Sequence, residues 1–237
     1  WQPREAGLVI MESTYGNREH DPIEQVDKKL AGIIRETHAR GGKIIIPTFA
    51  LERAQEVIYA LKRLENSNAI PEMPVFVDSP LTVNITEIFR LHTEGFDEEF
   101  RKIMPEAGDP FQPRNIRNIR DVQESMQLND IEGPAIILSA SGMCEFGRIV
   151  HHLRNHCEDP RNTILIVGFQ AQHTLGRRIV ERRKHIKIHG APRELNARVE
   201  VMNEFSAHAG RSELLDFARP FSQNVDKVLL VHGEEAA

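Results

Sequence analysis

The chain has 237 residues, of which 40% are hydrophobic and 27% charged, so it can bury one large core or two smaller ones. Its formal net charge of −5 gives no overall attraction for a polyanion, so any nucleic-acid contact must come from local basic clusters. Two isolated cysteines, no signal-peptide pattern and no long apolar run predict a reducing, cytoplasmic location without a membrane partner.

Short apolar runs alternate with amphipathic stretches, which predicts an α/β fold built on a mostly parallel sheet flanked by helices. The predicted strands span residues 7–11, 43–46, 74–77, 135–138, 163–167, 186–188, 198–202 and 227–231. The predicted helices start at Asp21-Pro22, at the stripe 51–64 and after Asp78-Ser-Pro80, and cover about 147–155 and 175–184. Periodicity weakens between 93 and 133, where we expect irregular structure with one or two short helices. Asp78 is predicted to cap the helix after Pro80.

Three polar side chains stand at predicted strand ends. Glu12 ends the first strand, His232 follows the last one, and His208 lies in a turn of small residues before a helix. Unpaired N–H groups at a helix start favour an anion such as phosphate. From the local sequence alone, His232 is better explained as a hydrogen-bonded turn residue, and a turn-capping role for Glu12 is as good as a chemical one. The two histidines together suggest one shared site.

Three motifs carry a resemblance to a known family. Glu12-Ser-Thr-Tyr-Gly16, Phe205-Ser-Ala-His208 and Val231-His-Gly-Glu234 resemble motifs A, B and C of the β-CASP nucleases, the nucleic-acid-processing branch of the metallo-β-lactamase fold. Supporting stretches include Ile46-Pro-Thr-Phe-Ala50 and Ser139-Ala-Ser-Gly-Met143. The resemblance implies a β-CASP domain over residues 17–194, with flanking edges of a metallo-β-lactamase αββα domain at 1–16 and 195–237. The strands 186–188 and 198–202 would then lead back into that flanking domain.

The resemblance also implies roles for the three strand-end residues. Motif C supplies His232 as one ligand of a two-zinc centre, and motif B places His208 at the scissile phosphate with Glu12 as its partner. A carboxylate bonded to one ring nitrogen fixes the tautomer of a histidine. Because members with a histidine in motif C act on RNA, His232 indicates an RNA substrate, single-stranded in our expectation.

Two small-residue turns predict further contacts with the RNA backbone. The first contributes Ser141, Gly142 and Arg148, and the second contributes Thr174 and Arg177. Without the resemblance, the first is an ordinary strand-to-helix turn. The arginine-rich helix after the second fits a solvated surface as well as a groove wall that follows phosphates. The nearby pair His152 and His156 is better explained by a solvated or packed helix face than by a metal site.

The family's zinc signature, a His-x-His-x-Asp-His run before motif A, does not occur in the sequence. We therefore expect an excised piece of a zinc-dependent ribonuclease, inactive by itself and holding little or no zinc. Exonuclease and endonuclease action both fit, and a homodimer is a further expectation. The alternative is a noncatalytic RNA-binding β-CASP subunit. A nucleotide-binding domain is disfavoured, because no G-x-G-x-x-G or Walker-type loop follows a strand.

Overall fold

A computed structural model describes residues 5–19, 25–96, 98, 101, 108–221 and 224–235. The chain forms two compact units: Ile23–Phe205, and Trp1–Pro22 together with Ser206–Ala237. The domain limits predicted at residues 16 and 194 stay predictions. No helix within the described ranges is long and apolar enough to cross a membrane.

The secondary-structure elements follow the predicted alternation of strands and helices. The strands are β1 Leu8–Glu12, β2 Lys43–Pro47, β3 Val75–Val77, β4 Ile116–Asn118, β5 Ala135–Ser139, β6 Thr163–Ile166, β7 His185–Ile188, β8 Ala191–Glu194, β9 Arg198–Val201 and β10 Lys227–Val231. The helices are α1 Val26–Ala39, α2 Arg53–Asn66, α3 Pro80–Leu91, α4 Val122–Gln127, α5 Arg148–His156, α6 Leu175–Val180 and α7 Arg211–Ala218.

The larger unit is built on a six-stranded sheet in the order β4-β3-β5-β2-β6-β9, with every neighbouring pair parallel. This confirms the α/β class and the parallel sheet. Because side chains alternate across a strand, Ile44 and Ile46 face one core and Ile45 faces the other. Helices α1 and α2 cover the first core, while α5 and α6 cover the second.

Parallel strands place their carboxyl ends at one edge of the sheet. The loops after β2, β5 and β6 therefore lie at the same edge. Direct bonds join the last two loops: the Gln170 side chain donates to the Gly142 carbonyl at 2.9 Å, and Gly176 N–H donates to Met143 O at 3.2 Å. This edge carries the five residues predicted to contact RNA.

Several predicted boundaries differ from the structure. Helix α6 ends at Val180, not at Lys184, because Arg182 has a left-handed backbone with φ of 52° and Arg183 N–H closes back onto Arg178 O. Strand β4 was not predicted, since it has three residues and only one apolar side chain. Strand β9, predicted over residues 198–202, ends at Val201 and is an edge strand of the six-stranded sheet. The predicted helix start at Asp21-Pro22 lies outside the described residues.

The smaller unit contains the parallel pair β1 and β10, in which Leu8 is opposite Lys227 and Glu12 is opposite Val231. Helix α7 also belongs to this unit. Apolar side chains on the two strands remain exposed, among them Ile10 at 61% and Leu230 at 61%. The carboxyl ends of both strands point the same way, which brings Glu12 and His232 to one end of the pair.

Candidate active site

The structure joins Glu12 directly to His208. Oxygen Oε2 of Glu12 lies 2.6 Å from Nδ1 of His208, and Oε1 accepts the Ala209 N–H at 3.1 Å. An isolated bridge between Tyr15 and Gly210 holds the segment after β1 alongside the turn before α7. The Glu12 carboxylate therefore holds the turn before α7 at two points, the His208 side chain and the Ala209 backbone N–H. This is the Glu12–His208 pair expected from the resemblance.

The surroundings of Glu12 favour its charged form. Partial burial alone would raise its pKa, but bonds from the Thr14 hydroxyl and the Ala209 N–H, together with the charge of His208, outweigh burial and lower the pKa. An ionised Glu12 accepts the Nδ1 proton of His208. Any proton that the ring exchanges with a substrate then passes through Nε2.

Thr14 fixes the imidazole of His232. Its hydroxyl oxygen lies 2.7 Å from the His232 carbonyl oxygen and 3.0 Å from His232 Nδ1, and it also bonds the Glu12 carboxylate. A hydroxyl has one proton, and carbonyl and carboxylate oxygens only accept, so the Thr14 proton goes to one of these. Nδ1 of His232 must then donate to Thr14. In the neutral ring this leaves the lone pair on Nε2, the form in which histidine binds a metal.

Gly233 is required by the close approach of two segments. A Cβ at this position would stand 2.1 Å from the Ser13 Oγ and 2.8 Å from the Ser13 carbonyl oxygen. Ser13 N–H donates to Val231 O at 3.0 Å, which continues the β1–β10 ladder past its last pair. Glycine thus allows His232, whose φ is 57°, to turn back over the end of β1.

Glu12, His208 and His232 offer ligand atoms that all lie within 4.8 Å of one another. The two rings stack at 4.8 Å between centroids with 28° between their planes. Imidazole and carboxylate donors are the set that zinc takes in hydrolytic sites. Glu12 and His208 bond each other, so His232 is the residue of the three that best fits a metal ligand. We find no other cluster of three such residues in the described part of the chain.

Ser141 and Gly142 are buried in the loop after β5. Gly142 lies under the ring of Phe49, since a Cβ there would come within 2.9 Å of two ring carbons. Thr174 caps α6 by accepting the Arg177 N–H at 3.1 Å, and Arg177 donates to Gln170 O at 3.2 Å and pairs with Glu181. Gly142, Thr174 and Arg177 each have a structural role, and the contact of all four residues with RNA stays a prediction.

Arg148 and Asp78 belong to one buried network. Asp78 is fully buried and accepts bonds from Arg148 at 2.7 Å, from Ser125 at 2.6 Å and from His152 at 2.6 Å. Burial acts to raise the pKa of Asp78, but these three bonds outweigh it and lower the pKa. The prediction that Asp78 caps the helix after Pro80 is wrong: Ser79 caps α3 by accepting the Thr82 N–H.

Helix α5 packs His152 and His156 into the core, in agreement with the expectation of a packed helix face. His152 donates from Nε2 to Asp78, and the rings of His152 and His156 stack with 6.3 Å between their centroids. Burial, with the charges of Lys43 and His152, lowers the pKa of His156 to about 4. Both histidines therefore belong to the core of the larger unit.

Sequence reasoning missed the role of Thr14. This threonine stands within the motif A stretch, two residues after Glu12, but nothing in its local sequence indicates a bond to a histidine 218 residues away. The only indication in the sequence is that Thr14 places a hydroxyl just after the end of a predicted strand. Its partner becomes visible only once β1 and β10 are paired.

The fold and the site define an α/β protein with a cluster of two histidines and a glutamate at the end of two paired strands. Residues 54–179, more than half of the chain, match the Beta-Casp domain, so the chain belongs to the Beta-Casp family. Residues 192–237 match the Zn-dependent metallo-hydrolase RNA specificity domain. These matches confirm the resemblance seen in the motifs, and the second supports dependence on a metal.

Curated relatives match over nearly the whole chain. Ribonuclease TTHA0252 of Thermus thermophilus is 38% identical over 233 residues, which are 98% of this chain and 53% of the relative. Transcription termination factor FttA is 32% identical in Methanosarcina mazei and 33% in Methanocaldococcus jannaschii, over 97% and 96% of this chain and 37% of each relative. The chain thus spans about half, or less, of the length of these relatives.

Proposed function

We propose that the full-length protein is a zinc-dependent ribonuclease that hydrolyses phosphodiester bonds of single-stranded RNA. The observation that carries this proposal is the Glu12–His208 pair within 4.8 Å of His232 at the end of two paired strands. Membership in the Beta-Casp family and the similarity to a relative named ribonuclease support it.

His232 would hold a zinc ion through Nε2, the nitrogen that its bond to Thr14 leaves as a lone-pair donor. Bound zinc supplies a Lewis acid and a hydroxide nucleophile at neutral pH. Zinc takes three or four protein ligands, so one histidine is not sufficient. We propose two ions in the full-length protein, whose remaining ligands come from outside these 237 residues.

The Glu12–His208 pair would act on the phosphate. The carboxylate fixes the ring through Nδ1, so Nε2 can donate a proton to a phosphate or leaving-group oxygen. In its protonated form the ring also offsets negative charge that develops on the phosphate. Glu12 keeps this ring oriented through each proton transfer.

Two variants of the full-length protein separate these roles. His208→Ala should lower kcat for single-stranded RNA by about 10²- to 10⁴-fold and leave the zinc content unchanged. His232→Ala should lower zinc occupancy together with activity. Metal analysis and cleavage of a labelled oligonucleotide, performed on the same preparations, measure both effects.

The chain provides a matched control in His92 and Glu94. This pair has the same Nδ1-to-carboxylate contact, at 2.8 Å, but its side chains are 65% and 70% exposed. His92→Ala should leave cleavage unchanged. If His208→Ala and His232→Ala also cleave at the wild-type rate, the site is assigned wrongly. A zinc-free, inactive protein that binds RNA would instead identify a noncatalytic RNA-binding subunit.

Location and assembly are separate proposals. A cytoplasmic location is supported by Cys144 and Cys157, which are both free and buried. Light scattering after size-exclusion chromatography would test the expected homodimer.

A further inference from the structure

The loop after β2 holds a phenyl ring on a rigid support. Phe49 is 49% exposed, and one side of its ring packs against Gly142 so closely that a Cβ there would clash at 2.9 Å. Gly142 is in turn fixed by the bond from the Gln170 side chain to its carbonyl oxygen. Gln170 is confined as well, since a Cβ on Gly176 would stand 1.6 Å from its Oε1. The ring is therefore a half-exposed apolar surface with little freedom to move.

A basic cavity of about 470 Å³ lies in the same group of loops, lined by Gln172, His173, Arg177, Arg178, Glu181 and Arg183. The contacts connect it to the ring: Phe49 packs on Gly142, Gly142 bonds Gln170, and Gln170 O accepts from Arg177 at 3.2 Å. The aromatic surface and the cavity thus belong to one continuous edge.

The cavity has an excess of positive charge. Its lining contains three arginines and one carboxylate, Glu181, with which Arg177 and Arg183 both pair. Arg178 pairs with no carboxylate among the described residues, and its Nε is buried without a hydrogen-bond partner. An arginine in this state favours a phosphate, because the guanidinium presents paired N–H donors to two anionic oxygens.

We propose that Phe49 is a stacking platform for one base of a single-stranded RNA whose phosphates run to the Arg178 cavity. This inference rests on the proposed function and specifies which residues bind the RNA substrate. A phenyl ring stacks with any base, so the contact holds RNA without reading its sequence. The net charge of the chain is −5, and a local arginine cluster is therefore needed to attract the strand.

The test compares two ligands of equal length: a labelled oligouridylate, and an abasic oligomer that keeps the ribose and phosphates but has no bases. Binding is measured by fluorescence anisotropy on the full-length protein, with a chelator present to prevent cleavage. Phe49→Ala and Phe49→Leu should weaken binding of the oligouridylate by about 5- to 100-fold and change abasic binding by less than about twofold. Phe49→Tyr should retain wild-type affinity.

Two other variants act as references. Leu51→Ala removes an exposed apolar side chain from the same loop, 59% exposed, and should leave both ligands unaffected. Arg178→Gln should weaken both ligands to the same degree and reduce the salt dependence of binding by about one counterion.

The outcomes separate the two proposals. If wild-type protein binds the oligouridylate but Phe49→Ala behaves like Leu51→Ala, stacking is refuted and the ribonuclease proposal stands. Equal weakening of both ligands by Phe49→Leu and Phe49→Ala would also refute stacking. Wild-type protein that binds neither ligand overturns both proposals.

Discussion

Substituting Asp78 by asparagine should destabilise the larger unit far more than such a small change of side chain suggests. Asp78 is fully buried, and its two oxygens accept three bonds: Oδ1 from Arg148, and Oδ2 from Ser125 and His152. An asparagine has one acceptor oxygen and one donor group, so in either orientation its NH₂ faces a donor. The change also removes the charge that compensates a largely buried guanidinium.

The least costly orientation of the asparagine turns its NH₂ toward Ser125 and His152. The serine hydroxyl can rotate, and His152 can change tautomer, because its Nδ1 has no partner. Arg148 then keeps its bonds to the Ile119 and Arg120 carbonyl oxygens, but its bond to residue 78 is made to a neutral oxygen instead of a carboxylate. A charge-assisted bond contributes about 1.5–3 kcal/mol, and breaking a buried pair costs about 3–5 kcal/mol. Because the Arg148 side chain is 20% exposed and water offsets part of this cost, we expect the free energy of unfolding to fall by about 2–4 kcal/mol.

Urea unfolding at neutral pH, followed by circular dichroism, measures this loss. The control is Asp27→Asn, which breaks an ion pair to Arg63 whose side chains are 40% and 41% exposed. Exposed pairs contribute about 0–1 kcal/mol, so the control should unfold close to wild type. If Asp78→Asn and Asp27→Asn lose the same small free energy, the network does not stabilise the unit and the reasoning is refuted.

Two further predictions concern Thr14 and His156. Thr14→Val should lower the zinc affinity of the full-length protein by about 10- to 100-fold, because His232 loses the bond that fixes its tautomer. Thr14→Ser keeps the hydroxyl and should bind zinc with wild-type affinity. Unchanged affinity in Thr14→Val would contradict the tautomer argument. The pKa of His156 is lowered from 6.5 to about 4, so the unfolded chain binds more protons between these values, and stability should fall by about 3 kcal/mol as pH decreases through that window. The same titration on His156→Leu should be flatter, and equal slopes would show that another group is responsible.

The sequence was sufficient for the parallel sheet and for the pairing of Glu12 with His208. Buried strands such as Ile44 to Ile46 are continuous apolar runs. This pattern is typical of parallel sheets, because helices cover both faces of their strands. The site followed from a resemblance to known motifs, since each residue by itself also fitted an ordinary turn. His232, for example, needed motif C to be preferred as a ligand.

What the sequence could not show depends on contacts between distant segments. Asp78 looked like a helix cap because Ser79 and Pro80 follow it, whereas Ser125 and His152, which decide its role, come from other elements. Strand β4 has too little apolar character to be recognised without its partner β3. In both cases local pattern competes with tertiary packing, and packing prevails.

The pairing of β1 with β10 sets the order in which the molecule can be assembled during synthesis. All six strands of the larger sheet have been made by Val201, so this sheet can form while the rest of the chain is still being translated. Glu12 has to wait for His208, 196 residues later, and Thr14 for His232, 218 residues later. A nascent or truncated chain that ends before β10 can therefore carry a folded sheet but no assembled Glu12–His208–His232 cluster, which confines the cluster to chains that extend through His232.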